Sequence, residues 1–164
     1  MFTPYTPQRN EETHPYKISG LPLAESYILS LAARKVCNYE LHHSLLKYER
    51  LCSSQRDAIA LCCEQHGSIE GGVRCGFCLA DGAGCGKTRT LCGVLLEVLL
   101  RGPCSCLFVT VNSQLIHLAK QEFHRMLKDI TGSLSLANNV KFCTYRGLPN
   151  LRVHWESSFS GVVS

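Results

Sequence analysis

The spacing of apolar residues predicts two helices in the first half of the chain. Over residues 21–36, apolar side chains recur at intervals of three and four, as they do on a helix with one buried face. The same spacing returns after Ser53 or Ser54, either of which can serve as the N-cap, and it stops at Gly67. We therefore expect one helix on each side of residue 50.

Beyond Gly71-Gly72, which ends a loop, strand-like and helix-like segments alternate. A short apolar run at residues 74–80 predicts a buried strand, residues 88–101 predict a helix, and residues 105–111 predict another strand. Strand, helix and strand of these lengths form a βαβ unit, whose strands are parallel and whose crossover is right-handed.

The alternation continues towards the end of the chain. Ser113 caps a further amphipathic helix that Gly132 closes, and Val140–Thr144 predict a third strand. Residues 159–164 begin like a fourth strand. This order of elements is typical of an α/β fold with a mostly parallel sheet.

The composition is that of one globular domain. The chain has 164 residues, of which 45% are hydrophobic, and a formal net charge of +4. Its best apolar run is about ten residues long, short of the roughly 20 that span a bilayer, so we expect no membrane partner. Because the N-terminus lacks the apolar segment of a signal peptide, we also expect that the protein is not secreted.

Eleven cysteines raise the question of a metal site. Cys75-x-x-Cys78 and Cys104-x-Cys106 offer two ligand pairs for zinc. Both pairs fall in predicted strands, where residues three apart point to opposite faces, so the first pair could not chelate without a turn. We expect small buried hydrophobic residues in a reducing compartment, and zinc is the alternative.

The segment that carries chemistry is the glycine-rich turn before the 88–101 helix. It contains the G-x-G-K-T core of a phosphate-binding loop. Glycines let successive main-chain N–H groups surround a phosphate at the positive end of the following helix. Lys87 would bridge the β- and γ-phosphates, and the Thr88 hydroxyl would ligate Mg²⁺, so both are candidate catalytic residues. The candidate cofactor-binding residues are Gln55, Gly82, Gly84, Cys85, Gly86, Lys87, Thr88 and Arg89.

Asp81 and Gln55 each leave an alternative interpretation open. The alternative to a phosphate site is a glycine-rich hairpin with an exposed lysine, and Asp81, where the full pattern has glycine or alanine, could repel phosphate, turn outward or turn towards the metal. Gln55 lies on the helix before the loop. Its amide matches the adenine edge, but on sequence alone an exposed helix glutamine is the better interpretation.

The string CGFCLADGAGCGKTRTLCGVLLEVLLRGPCSCLFVTVNSQL, together with Thr144-Tyr145 and Leu148, resembles the helicase-like domain of the strawberry notch family, a branch of the superfamily 2 ATPases. The resemblance implies a partial RecA-like P-loop NTPase domain of three αβα layers, with ATP and Mg²⁺ as cofactors. It also implies that Gln55 reads adenine, that residues 110–115 touch a nucleic-acid backbone, and that the protein serves transcription regulation in the nucleus or else is cytoplasmic. Nucleic acid or chromatin-associated proteins are the implied partners.

Composition, apolar spacing and the resemblance together predict three parts of the chain. We expect an extended arm at residues 1–20, a helical segment at 21–50 and an incomplete RecA-like domain at 51–164 that stops before the acidic D-E-x-H strand end, as in a truncated product or a binding remnant. Without those carboxylates, this chain alone is expected to bind ATP but not to hydrolyse it.

Two other function classes stay open at this point. One is an interaction module of a transcriptional regulator in which nucleotide binding is lost, and Asp81 and the absent acidic strand favour it. The other is a small P-loop kinase, which the absence of a later lid or acceptor segment disfavours.

Overall fold

The computed structural model describes residues 37–81 and 84–148. They fall into two compact units that divide after Thr90. The predictions for the arm at 1–20, the helix at 21–36 and the strand at 159–164 lie outside the described residues. None of the helices in the described parts has both the length and the apolar character needed to cross a membrane.

The first unit is mainly helical. It contains a four-residue helix, α1 (His43–Leu46), and a long helix, α2 (Ser53–Gly67). Leu45, Leu51 and Ile59 are fully buried and form its core with other apolar side chains of α1, α2 and the segment between them. The helix predicted to stop at Gly67 is confirmed.

The beginning of α2 differs from the prediction. Cys52, and neither Ser53 nor Ser54, is the N-cap, with an extended backbone at φ −75° and ψ 164°. Its backbone N–H donates to the side-chain oxygen of Gln55 (3.3 Å), three residues into the helix. This is half of a capping box, in which a glutamine at the third helical position returns to bond the N-cap amide.

A short hairpin follows α2. Strands β1 (Ile69–Glu70) and β2 (Val73–Arg74) pair antiparallel, with Glu70 opposite Val73. Gly71 and Gly72 form the two-residue turn with φ of 58° and 79°, and two positive φ angles are what the tightest hairpin turn requires. The glycine pair therefore makes the turn of a hairpin.

The strand predicted at residues 74–80 is wrong. Strand β2 ends at Arg74, and residues 75–80 form no strand and are mostly exposed. A β-strand is stabilised by backbone hydrogen bonds to a neighbouring strand. No described strand pairs with residues 75–80. The predicted βαβ unit starting at residue 74 is therefore absent from the described residues.

The second unit contains a different βαβ arrangement. Helix α3 (Lys87–Arg101) begins in the first unit and continues into the second, and it is followed by β3 (Cys106–Thr110), α4 (Ser113–Thr131) and β4 (Val140–Thr144). The two strands are parallel, with a register that runs from Cys106 opposite Val140 to Thr110 opposite Thr144. The 88–101 helix and the strands predicted at 105–111 and 140–144 are thus confirmed.

Caps define both ends of α4. The N-cap is Asn112, whose side-chain oxygen accepts from the Leu115 N–H (2.9 Å), so the prediction that Ser113 caps the helix is wrong by one residue. Asparagine is among the best N-cap residues, because its short side chain reaches the exposed N–H groups of the first turn. Gly132 ends the helix with φ 71°, as predicted.

One face of α4 packs on the parallel strands. The Phe123 ring lies 5.9 Å from the Phe142 ring of β4, which in turn lies 5.4 Å from Phe108 of β3. On the same helix, the Ala119 carbonyl accepts from the Cys92 thiol of α3 (3.6 Å). Mixed helices and strands with a parallel pair agree with a partial α/β fold.

Short 3₁₀ helices flank β4. One spans Ser135–Asn139 and leads into the strand, and the other, Tyr145–Gly147, follows it. The Thr144 hydroxyl accepts from the Gly147 N–H (3.3 Å), which closes the turn at the carboxyl end of the strand.

Candidate phosphate-binding site

The described part of the glycine-rich loop contains two glycines with positive φ angles. Gly84 and Gly86 have φ of 84° and 78°, a left-handed conformation that other residues adopt only with strain. Two such residues so close together turn the chain sharply before α3. Gly82, predicted as a further binding residue, lies outside the described residues.

Helix α3 begins directly after the loop, at Lys87. The Gly86 carbonyl accepts from the N–H groups of Arg89 (2.9 Å) and Thr90 (3.1 Å), so it is the first acceptor of the helix. The first N–H groups of a helix have no acceptor within it and carry the positive end of its dipole. The loop therefore meets the end of α3 that favours an anion.

The Lys87 side chain folds back over the start of the loop. Its ammonium group donates to the main-chain oxygen of Asp81 (2.9 Å). Asp81 is exposed, and its contact with Lys87 is made through the backbone. A cation on a flexible stem thus lies beside the glycine turn.

Gln55 contacts the loop from α2. Its side-chain nitrogen donates to the carbonyl of Cys85 (3.3 Å) and lies 3.5 Å from the carbonyl of Gly86. The residue is buried, with 8% of its surface exposed. The interpretation of Gln55 as an exposed helix glutamine is therefore wrong, whereas adenine reading stays a prediction.

The two residues after Lys87 also belong to the first turn of α3. Thr88 is half-buried there. The Arg89 guanidinium donates to the main-chain oxygen of Arg50 (3.2 Å), which ties the helix start to the segment before α2. The structure thus gathers Gln55, Gly84, Cys85, Gly86, Lys87, Thr88 and Arg89 around one loop.

Sequence reasoning missed the contact between Gln55 and the loop. A signal was available in the C-S-S-Q run, because a glutamine three residues after a polar cap position predicts a side chain that turns back across the helix start. That the same amide also reaches residues 30 and 31 positions further along the chain depends on tertiary packing, and no local pattern encodes it.

The cysteine pairs form no larger cluster. Within the described residues, no group of three or more His, Cys, Asp or Glu side chains could hold a metal ion. All eleven cysteines are free of disulfide bonds. Burial raises the pKa of the Cys106 thiol to about 11, and the neighbouring Cys104 adds to the shift.

Comparison with known proteins agrees with this geometry. The family model "P-loop containing NTP hydrolase pore-1" matches residues 18–154. The chain is 35% identical over 109 residues to human protein strawberry notch homolog 2, which covers 60% of this chain and 8% of that protein. The mouse homolog is 28% identical over 160 residues, or 90% of this chain and 12% of that protein.

A plant relative extends the comparison. Protein FORGETTER 1 of Arabidopsis thaliana is 27% identical over 135 residues, which is 80% of this chain and 10% of that protein. No solved structure matches the chain significantly. The chain thus spans about a tenth of the length of these relatives. It carries a P-loop NTPase domain of the α/β class and belongs to the strawberry notch family of helicase-like proteins.

Proposed function

We propose that the chain binds ATP together with Mg²⁺ at the loop between Asp81 and Thr88, as the nucleotide-binding part of a helicase-like protein. The observation that carries the proposal is the pair of left-handed glycines, Gly84 and Gly86, immediately before the start of α3 at Lys87. The match to the P-loop NTP hydrolase model over residues 18–154 supports the same ligand class.

Three groups have separate roles in binding. Main-chain amides of the loop and the first turn of α3 hold phosphate oxygens. Lys87 exchanges its bond to the Asp81 carbonyl for the β- and γ-phosphates, whose charge it offsets. Thr88 lies in the first turn of α3. Its hydroxyl would hold Mg²⁺, which would offset phosphate charge.

The proposal is one of binding without turnover by this chain. Hydrolysis needs a group that orients the attacking water, and none of the residues assigned here has that role. A role in transcription regulation, nucleic acid or chromatin-associated partners and a nuclear location belong to the same proposal. The relationship to the strawberry notch proteins supports them.

Substitution of Lys87 tests the binding site. Lys87→Ala should raise the Kd for a fluorescent ATP analogue in the presence of Mg²⁺ by about tenfold to a hundredfold, because a hydrogen bond to a charged group contributes about 1.5–3 kcal/mol and each 1.4 kcal/mol is tenfold. The measurement is an equilibrium fluorescence titration of the purified chain.

Lys47→Ala is the matched control, since Lys47 is an exposed lysine of the same unit, just after α1. It removes the same charge and should leave the Kd unchanged. Equal Kd values for wild type and Lys87→Ala would show that the site is misassigned. A wild-type chain that binds no nucleotide would favour the interaction module.

A further inference from the structure

We propose that Gln55 is a positioning residue that aims the phosphate-binding amides of the loop from the side opposite to the ligand. The inference rests on the proposed function and adds a role for a residue outside the loop. It is carried by the contact of one buried amide with two consecutive carbonyl groups, those of Cys85 and Gly86.

Both ends of the Gln55 amide are engaged by the protein. The oxygen accepts from the backbone N–H of Cys52, the N-cap of α2, and the nitrogen donates to the loop. A side chain with 8% exposure that is held at both ends has little freedom to rotate. Gln55 therefore links the start of α2 to the loop as a fixed bridge.

The direction of these contacts determines where the loop amides point. In a planar trans peptide, the C=O of one residue and the N–H of the next point in opposite directions. The Cys85 carbonyl points towards Gln55, so the N–H of Gly86 points away from it, to the other side of the loop. The Gly86 carbonyl also faces Gln55 and the turns of α3, which directs the N–H of residue 87 the same way as that of Gly86.

The contact between Gln55 and Gly86 is close enough to oppose a rotation of the loop peptides. A Cβ added at Gly86 would lie 2.4 Å from the Gln55 side-chain nitrogen, closer than Cβ atoms come to other heavy atoms. The backbone of Gly86 and the Gln55 amide thus touch directly. A rotation of the loop peptides that turned the carbonyl groups towards the ligand would break this contact.

Positioning and adenine reading make different demands on the same amide. In its present place, the Gln55 nitrogen serves the loop carbonyls and its oxygen serves Cys52. Reading adenine would engage the second N–H and the second lone pair of the amide, or would replace these bonds by bonds to the base. The two roles are separable by experiment, because one concerns the phosphates and the other the base.

The test compares a ligand with a base and a ligand without one. Gln55→Met removes both the donor to the loop and the acceptor for Cys52 at nearly the same shape and charge. Calorimetric titrations are made with Mg²⁺ plus either ATP or inorganic tripolyphosphate. The Kd of both ligands should rise by about tenfold, the value of the lost hydrogen bond between Gln55 and the loop. Gln55→Asn, which keeps an amide but shortens its reach, should give the same result if the methionine variant does not fold.

Gln65→Met is the matched control, since it makes the same change near the other end of α2 and should leave both Kd values unchanged. A rise in the Kd of ATP alone would overturn the positioning role and favour adenine reading. Unchanged Kd values for both ligands would overturn it as well. If the wild-type chain binds neither ATP nor tripolyphosphate, the proposed function is wrong. The positioning role of Gln55 is then wrong as well.

Discussion

Leu127→Ala is expected to lower the free energy of unfolding of the second unit by about 2–5 kcal/mol. Leu127 is fully buried on α4, as are its neighbours Phe123 and Met126. Removal of a buried leucine side chain loses its transfer free energy and leaves a cavity that the surrounding side chains fill only in part. Urea denaturation followed by circular dichroism measures the change.

Leu118→Ala makes the same substitution on the same helix at a position that is 56% exposed. It should change the free energy of unfolding by no more than about 0.5 kcal/mol, as exposed positions generally do. Equal losses for the two variants would contradict the assignment of the inner face of α4.

Gly86→Ala is expected to weaken nucleotide binding by more than about 30-fold. The left-handed φ of 78° costs a residue with a Cβ about 1–2 kcal/mol. The added Cβ also displaces the Gln55 amide from its hydrogen bonds to Cys52 and Cys85, which costs about 1–3 kcal/mol. The loop of the variant avoids both costs by leaving its present conformation, so nucleotide binding has to restore that conformation. A cost of about 2 kcal/mol corresponds to roughly a 30-fold rise in Kd. The same fluorescence titration as for Lys87→Ala gives the Kd.

Gly132→Ala is the control for Gly86→Ala, because it introduces similar backbone strain at a glycine outside the loop. Gly132 has φ of 71° at the end of α4, and an added Cβ there meets no atom within 4 Å. This variant should lose some stability but keep the wild-type Kd. If Gly86→Ala bound nucleotide as tightly as Gly132→Ala does, the conformation of the loop would not matter for binding.

The long helices could be predicted because their signals are local. The helices at residues 53–67, 87–101 and 113–131 follow from the spacing of apolar residues and from glycines at or just after their ends. Their N-caps were harder, and both predicted caps were wrong by at least one residue. Cys52 is an unusual cap, and Asn112 competes with the adjacent Ser113, which is almost as good a cap residue.

The strand predicted at residues 74–80 shows where local pattern fails. A short apolar run is compatible with a strand, but only a partner strand makes it one, and the partner is not encoded in the run itself. The hairpin at residues 69–74 carried a readable signal in Gly71-Gly72, since two adjacent glycines suit a two-residue turn.

The candidate site was predicted only in part, because only its local features can be read from the sequence. The G-x-G-K-T core identifies Gly84, Gly86, Lys87 and Thr88 because the chemistry of the loop depends on consecutive backbone units. The contacts that hold the loop come from distant residues: Gln55 reaches Cys85, and Arg89 reaches the Arg50 carbonyl. Such bonds depend on how the helices pack, so the structure was needed to find them.

Under the proposed function, main-chain amides between Gly84 and Thr88 hold the phosphates of a nucleotide. The most direct test is a titration of the ¹⁵N-labelled chain with Mg²⁺ and ATP, followed by amide resonances. We expect the largest chemical-shift changes at Gly84, Gly86, Lys87 and Thr88, and we expect inorganic tripolyphosphate to reproduce them. Loop resonances that stay in place while others move, or that do not move at millimolar ATP, would contradict it.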